Sequence, residues 1–169
     1  MRTDGGTDRP DGDLTDLLES MSSAAVFARD RYLTVVAANA RARAVSPALR
    51  PGTNLLRWLF LDDDEPRCTL APDLPDTLVA LLHDSLEQHD HDARFRALVG
   101  ELAARDGSFA RIWARSPARA SHRGVVGRTP GGTALRFQEL RITDDHEVVV
   151  VVLSGTATAA GAGAGPGPG

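Results

Sequence analysis

The sequence predicts an α+β domain, a five-stranded antiparallel sheet with helices covering one face. Three observations predict it. Near the start, two short apolar runs, Ala25-Val26-Phe27-Ala28 and Leu33-Thr34-Val35-Val36, flank the polar Arg29-Asp30-Arg31, a spacing that fits two strands around a tight turn. From Thr53 to Trp113 the apolar residues recur at helical spacing instead. After Arg115 the pattern returns to strands three more times. Helices segregated between runs of antiparallel strands define the α+β class, and the first strand pair must join the last three to make a sheet of useful size.

The totals narrow the class of function. At 169 residues the chain is one domain by size and long enough to bury a core. Hydrophobic residues make up 42% and charged residues 25%, an ordinary globular balance. The formal net charge of -4 does not attract a polyanion. Every Lys/Arg-type charge is an arginine; with no lysine, Schiff-base chemistry of the pyridoxal type and a P-loop are excluded. Cys68 stands alone, which rules out an intramolecular disulfide, a multi-cysteine zinc site and a cysteine-bound cluster. The opening residues are polar and acidic, with no apolar core of a signal peptide, and the longest apolar run, Val148–Leu153, is too short to span a bilayer. The expectation is a cytoplasmic protein with no membrane partner.

The elements follow in order. Residues 1–13 are Gly, Asp, Thr, Arg and Pro-rich and are expected to be disordered. The folded domain is expected over 14–155. Leu14, Leu17, Leu18 and Met21 mark a short amphipathic helix before the strand pair. Asn39 is placed to cap a helix of Ala40, Arg41, Ala42, Arg43 and Ala44, all strong helix formers. Thr53 or Asn54 caps the densest apolar helix, in which Leu55, Leu56, Leu59 and Phe60 make one face and Trp58 lies to the side. Asp62-Asp63-Asp64-Glu65-Pro66 stops it. Asp76 is expected to cap a helix carrying Leu78, Val79, Leu81, Leu82 and Leu86. Gln88–Asp92 is a polar hinge before a helix with Phe95, Leu98, Val99 and Leu102. Ser108 is expected to cap a last helix with Phe109, Ile112 and Trp113.

Val125-Val126 marks the third strand, and Pro130-Gly131-Gly132 a turn. Thr133–Ile142 alternates, with Leu135, Phe137 and Glu139 on one side and Ala134, Arg136, Gln138 and Leu140 on the other. Thr143-Asp144-Asp145-His146 reads as a hairpin loop. Glu147–Ser154 is apolar throughout, as a central strand is. From 156 to 169 the chain is a flexible Ala/Gly/Pro tail.

A family resemblance enters on these residues. The strand, turn, strand and capped helix from Ala24 to Val45 resemble the opening of a PAS-like domain. Leu55-Leu56-Arg57-Trp58-Leu59-Phe60-Leu61-Asp62 resembles the central helical signature of the MmyB-like transcription-regulator ligand-binding domains. Leu98-Val99-Gly100-Glu101-Leu102, followed by Phe109-Ala110-Arg111-Ile112-Trp113, resembles a second stretch of that family. The resemblance runs from about Asp13 to Ser154. It implies a PAS-like sheet enclosing an apolar cavity for a fatty-acid-like or other small organic ligand. Typical members carry a helix-turn-helix domain ahead of this one; only Met1–Asp13 precede it here, so direct nucleic-acid binding is not expected of this chain. The family's histidine after the helix tryptophan falls near Ser116. A later histidine becomes Thr129, and a Tyr-Glu pair becomes Phe137-Gln138. These replacements imply a cavity whose chemistry has drifted.

The residues expected to meet a ligand are Arg57, Trp58, Phe60, Trp113 and Phe137. Arg57 has the guanidinium geometry to hold a carboxylate by two bonds, and the aromatics are large enough to line a cavity cut into the core. No metal site and no cofactor are expected: His83, His89 and His91 with Asp84, Asp90 and Asp92 form the one His/Asp cluster, but His89 and His91 read as part of a solvated helix hinge, and Asp62–Glu65 as a solvated helix end. Arg111, Arg115, Arg119 and Arg123, spaced by four, read as solvated surface. Two functions stand side by side. One is a stand-alone small-molecule sensor acting through a protein partner, either its own second copy or a related regulator. The other is an enzyme derived from such a domain, closing around a metabolite of secondary metabolism to cyclise or isomerise it. Glu139, His122 and His146 are its candidate acid and base groups.

Overall fold

A computed structural model describes residues 10–62, 73–87, 92–115, 125–128, 134–141 and 148–156. Helix α1 (Pro10–Ser20) leads into strand β1 (Ala25–Asp30), strand β2 (Val35–Ala38) and helix α2 (Ala40–Val45). A 3₁₀ turn (Pro47–Leu49) precedes helices α3 (Leu55–Leu61), α4 (Leu74–Glu87), α5 (Ala93–Arg105) and α6 (Gly107–Arg115). Strands β3 (Val125–Arg128), β4 (Ala134–Arg141) and β5 (Val148–Thr156) close the chain. The class is α+β. The strands lie in the order β2-β1-β5-β4-β3, each antiparallel to its neighbours, so the last strand enters beside the first.

The turn between β1 and β2 is built by one carboxylate. Asp30 Oδ1 accepts from the amides of Tyr32 (2.9 Å) and Thr34 (2.8 Å), and Leu33 sits at φ 64 with its side chain fully buried. The left-handed backbone is costly for leucine, and burial of its side chain offsets that cost. Because the turn consumes Leu33 and Thr34, β2 starts at Val35 and runs on through Ala37 and Ala38, two residues beyond the expected run. β1 likewise extends to Asp30.

Asn39 caps α2 as expected and does more. Its Oδ1 accepts from Ala42 (2.9 Å) and from Val26 (3.1 Å), and its Nδ2 donates to the carbonyls of Ala24 (2.8 Å) and Met21 (3.1 Å). A buried amide with four partners ties the end of α1, β1 and α2 into one corner. Asn54 plays the same part for α3. It caps Arg57 N at 3.1 Å and donates to Tyr32 O at 2.8 Å, so the hairpin turn sets where α3 begins.

Helices α3–α6 pack on one face of the sheet, as expected, and α1 covers part of the other, where the sequence predicts cover on one face only; Arg136, Gln138 and Leu140 of β4 stay exposed there. Strand residues alternate between faces. On one face Phe27, Val35, Val151 and Leu153 join Leu56, Leu59 and Phe60 of α3, Leu78 and Leu82 of α4, Phe95 and Leu102 of α5, and Phe109 of α6. On the other, Val26, Ala28, Ala37 and Val150 pack on Leu18, with Leu14 and Met21 beside it on the α1 side. The apolar run Val148–Leu153 of β5 carries the reason: a stretch apolar at six successive positions needs cover on both sides.

Three helix boundaries also differ from expectation. α1 starts at Pro10, four residues inside the segment expected to be disordered, because proline is pre-set for a first helical turn. α4 starts at Leu74, with Pro75 in its first turn, so Asp76 lies within the helix and does not cap it. α6 is capped by Asp106, whose Oδ1 accepts from Ser108 N (2.7 Å) and Phe109 N (2.8 Å), in place of Ser108. Asp106 also closes α5 through its own amide, which donates to Leu102 O at 2.9 Å. β5 continues to Thr156, paired with Ala134, one residue past the expected domain end. The N-terminal 1–9, the acidic stop 63–65, the hinge 88–91, the turn 130–132, the loop 143–146 and the tail 157–169 lie outside the described residues.

Candidate functional site

The site builds outward from α3. Its Asn54 cap and the inward stripe Leu55, Leu56, Leu59 and Phe60 fix the helix on the sheet and turn Arg57 and Trp58 away from that stripe. Beside them lies an open cleft of about 530 Å3, walled by Pro47 and Arg50 from the 3₁₀ turn, Arg57, Trp58 and Leu61 from α3, and Glu101 and Arg105 from α5. Its size is that of a small-molecule site. Trp58 and Leu61 line the cleft on one side and pack against the main core on the other.

Arg57 is half-exposed and already engaged. Its Nε (3.0 Å) and Nη2 (2.7 Å) both donate to Glu101 Oε2 on α5. The Arg57 guanidinium holds the Glu101 carboxyl below its usual range, with Arg105 adding a weaker effect. Trp58 presents the opposite case: its indole Nε1 is buried and meets no acceptor among the described residues.

Phe60 and Trp113 do come together, through Phe109. Phe60 meets Phe109 edge-on at 5.2 Å between centroids, and Phe109 lies 5.8 Å from Trp113. Trp113 stacks on His83 of α4 at 3.7 Å, and His83 Nε2 lies 3.2 Å from the Trp113 carbonyl. Phe60 and Phe109 are buried, and Trp113 is half-buried. Phe137 is in β4, opposite Leu153 of β5, and its side chain lies outside the described residues.

The hinge residues separate. His83 is in the aromatic stack, while Asp92 caps α5 and accepts from Tyr32 Oη and from Arg31 Nη2 (2.9 Å). The Tyr32 bond, above all, holds the Asp92 carboxyl below its ordinary value; burial pushes the Tyr32 phenol up. His89, Asp90, His91, His122 and His146 lie outside the described residues. Among the described residues no three His, Cys, Asp or Glu side chains gather as metal ligands would. Arg115 of α6 pairs with Asp76 at 2.8 Å on the surface; Arg119 and Arg123 lie outside the described residues. No described helix is long and apolar enough to cross a membrane.

The sequence reading missed Arg29. It is 3% exposed and pairs with Glu139 of β4, across the intervening β5. Glu139 shares its register with Val151 and Phe27, so the pair lies on the helix-facing side of the sheet. The signal was present: Glu139 alternates with Leu135 and Phe137, an acid on an apolar side. A charge inside an apolar alternation implies a buried partner, which the sequence alone did not identify.

A family model for the MmyB-like transcription regulator ligand binding domain matches residues 11–163. The chain belongs to this family. No curated protein matches it. In this MmyB-like domain the motif around Arg57–Asp62 is α3, and the second motif spans the α5–α6 pair that packs beside it. The family match makes the chain a ligand-binding domain of transcription-regulator type, which implies a small-molecule ligand.

Proposed function

We infer that this MmyB-like domain is a small-molecule sensor. In this reading it is PAS-like, takes an apolar, fatty-acid-like guest between sheet and helices, and reports occupancy through a protein partner, a second copy or a related regulator. The observation that carries the reading is the family match over residues 11–163, joined to a buried indole donor at the wall of a ligand-sized cleft. A buried donor without an acceptor costs about 1–3 kcal/mol, and a guest oxygen removes that cost. Trp58, Phe60, Trp113 and Phe137 are the proposed lining, and Arg57 stands at the entrance. In this reading the cleft is the way in, which is supported by Trp58 and Leu61 belonging both to its lining and to the edge of the core.

The test uses the two tryptophans, Trp58 and Trp113, as reporters. Native mass spectrometry of protein purified from cells is expected to show a co-purified organic molecule. Titration of delipidated protein with methyl decanoate is expected to change the tryptophan emission saturably, and Trp58→Phe, which keeps the bulk and removes the N–H, is expected to weaken binding about fivefold. Protein that carries nothing from cells and binds neither this probe nor a fluorescent apolar dye ends the reading.

A further inference from the structure

A salt bridge laid across the middle of an apolar sheet face needs a reason. Arg29 of β1 reaches Glu139 of β4 over β5, and the registers Arg29↔Val149 and Glu139↔Val151 show that it passes diagonally between these valines. The two side chains are 4% and 12% exposed. Stability does not explain the pair: apolar residues of similar volume serve a core as well or better. The guanidinium is also incompletely used. One Nη donates to Glu139 and the other to the Asp30 carbonyl at 3.2 Å, but Nε is buried with no acceptor among the described residues. It is an orphaned N–H on the surface that faces the helices.

The geometry points to Arg29 and Glu139 as a specificity-determining pair that selects a guest presenting a neutral acceptor, a carbonyl or ester oxygen, over a guest that ends in a carboxylate. This rests on the reading that the guest lies between sheet and helices. The charge count decides the preference. Arg29 is neutralised by Glu139, so a ligand carboxylate at Nε would place a second negative charge against the Glu139 carboxylate, in a site with little water to screen it. A neutral oxygen accepts the same N–H and adds no charge to bury. Glu139 thus turns an arginine, ordinarily a carboxylate binder, into a donor for an uncharged group.

The test compares decanoic acid with methyl decanoate on the full chain, taking the ratio of the two affinities so that chain hydrophobicity cancels between variants. Glu139→Gln leaves the guanidinium charge unmatched and is expected to move the ratio toward the acid by about tenfold or more. The double change Arg29→Met with Glu139→Leu removes both charges, retains the fold by far-UV circular dichroism, and is expected to weaken the ester about fivefold. An unchanged ratio in Glu139→Gln, or an ester affinity indifferent to the double change, overturns the pair's role while the pocket stands. Failure of both probes and of an apolar dye to bind any variant overturns the pocket and, with it, the pair's role.

Discussion

The two faces of the sheet are built to different rules. The face under α1 is closed by small and branched apolar side chains, Leu18 on Val26, Ala28, Ala37 and Val150, and the polar residue at its corner, Asn39, has every hydrogen-bonding position filled. The face under α3–α6 carries the large aromatics, a buried charge pair and the orphaned donors Arg29 Nε and Trp58 Nε1. Native cores satisfy nearly all their buried polar groups. Among the described residues the unsatisfied N–H groups fall on the helical side, and it is this face that the proposed guest would meet.

The largest effects come from emptying each face in turn. Leu18→Ala and Phe109→Ala both remove fully buried side chains and are expected to cost about 3 and about 4 kcal/mol, read from urea denaturation. Only Phe109→Ala is expected to alter the affinity for methyl decanoate, because Phe109 bridges Phe60 and Trp113 and Leu18 lies beyond the sheet. If Leu18→Ala changes probe binding as much as Phe109→Ala does, the division of labour between the faces is wrong.

A smaller effect sharpens how the helical layer is held to the hairpin. Tyr32 donates to Asp92, the cap of α5, with Arg31 beside it and the Arg94 guanidinium 4.6 Å over the ring. The Asp92 carboxyl is lowered, first by the tyrosine bond and next by the Arg94 amide; burial opposes both. A carboxyl lowered on folding stabilises the fold at pH above its unfolded value and withdraws that support as pH falls through its folded value. The loss therefore belongs to the acid side, below about pH 4. Tyr32→Phe is expected to raise the Asp92 titration, followed by NMR, and to move the acid-unfolding midpoint to higher pH. An unmoved Asp92 titration would show that the arginines alone set it.

Much of this was legible from the residues. The Asn39 and Asn54 caps, the inward stripe of α3 and the order of strands and helices follow from side-chain chemistry and period, which are local. What escaped was non-local. Whether α1 crosses to the second face depends on the apolar parity of β5, and the sequence shows the parity without the direction of the crossing. Arg29 and Glu139 are 110 positions apart and meet only because β5 enters between their strands. Arg57 in the apolar α3 segment was expected to hold a ligand carboxylate, and in the structure the residue 44 positions on, Glu101, takes it up.

The smallest expected effect makes the sharpest contrast between the two arginines. Arg57 and Glu101 are 52% and 32% exposed, so water and salt screen their attraction, and Arg57→Ala is expected to cost no more than about 0.5 kcal/mol. It lines the cleft proposed as the way in, where an incoming carboxylate would meet it before any buried group. Decanoic acid is expected to bind about threefold more weakly to Arg57→Ala, methyl decanoate to bind unchanged, and the acid's deficit to vanish in high salt. A screened entrance charge acts on anionic guests and fades with ionic strength. The Arg29–Glu139 pair is buried beyond the reach of salt, so the effect proposed for it on the ratio is expected to persist. Salt dependence thus assigns each arginine to its place: a deficit in Arg57→Ala that survives high salt would put that guanidinium inside the pocket, against the bound guest.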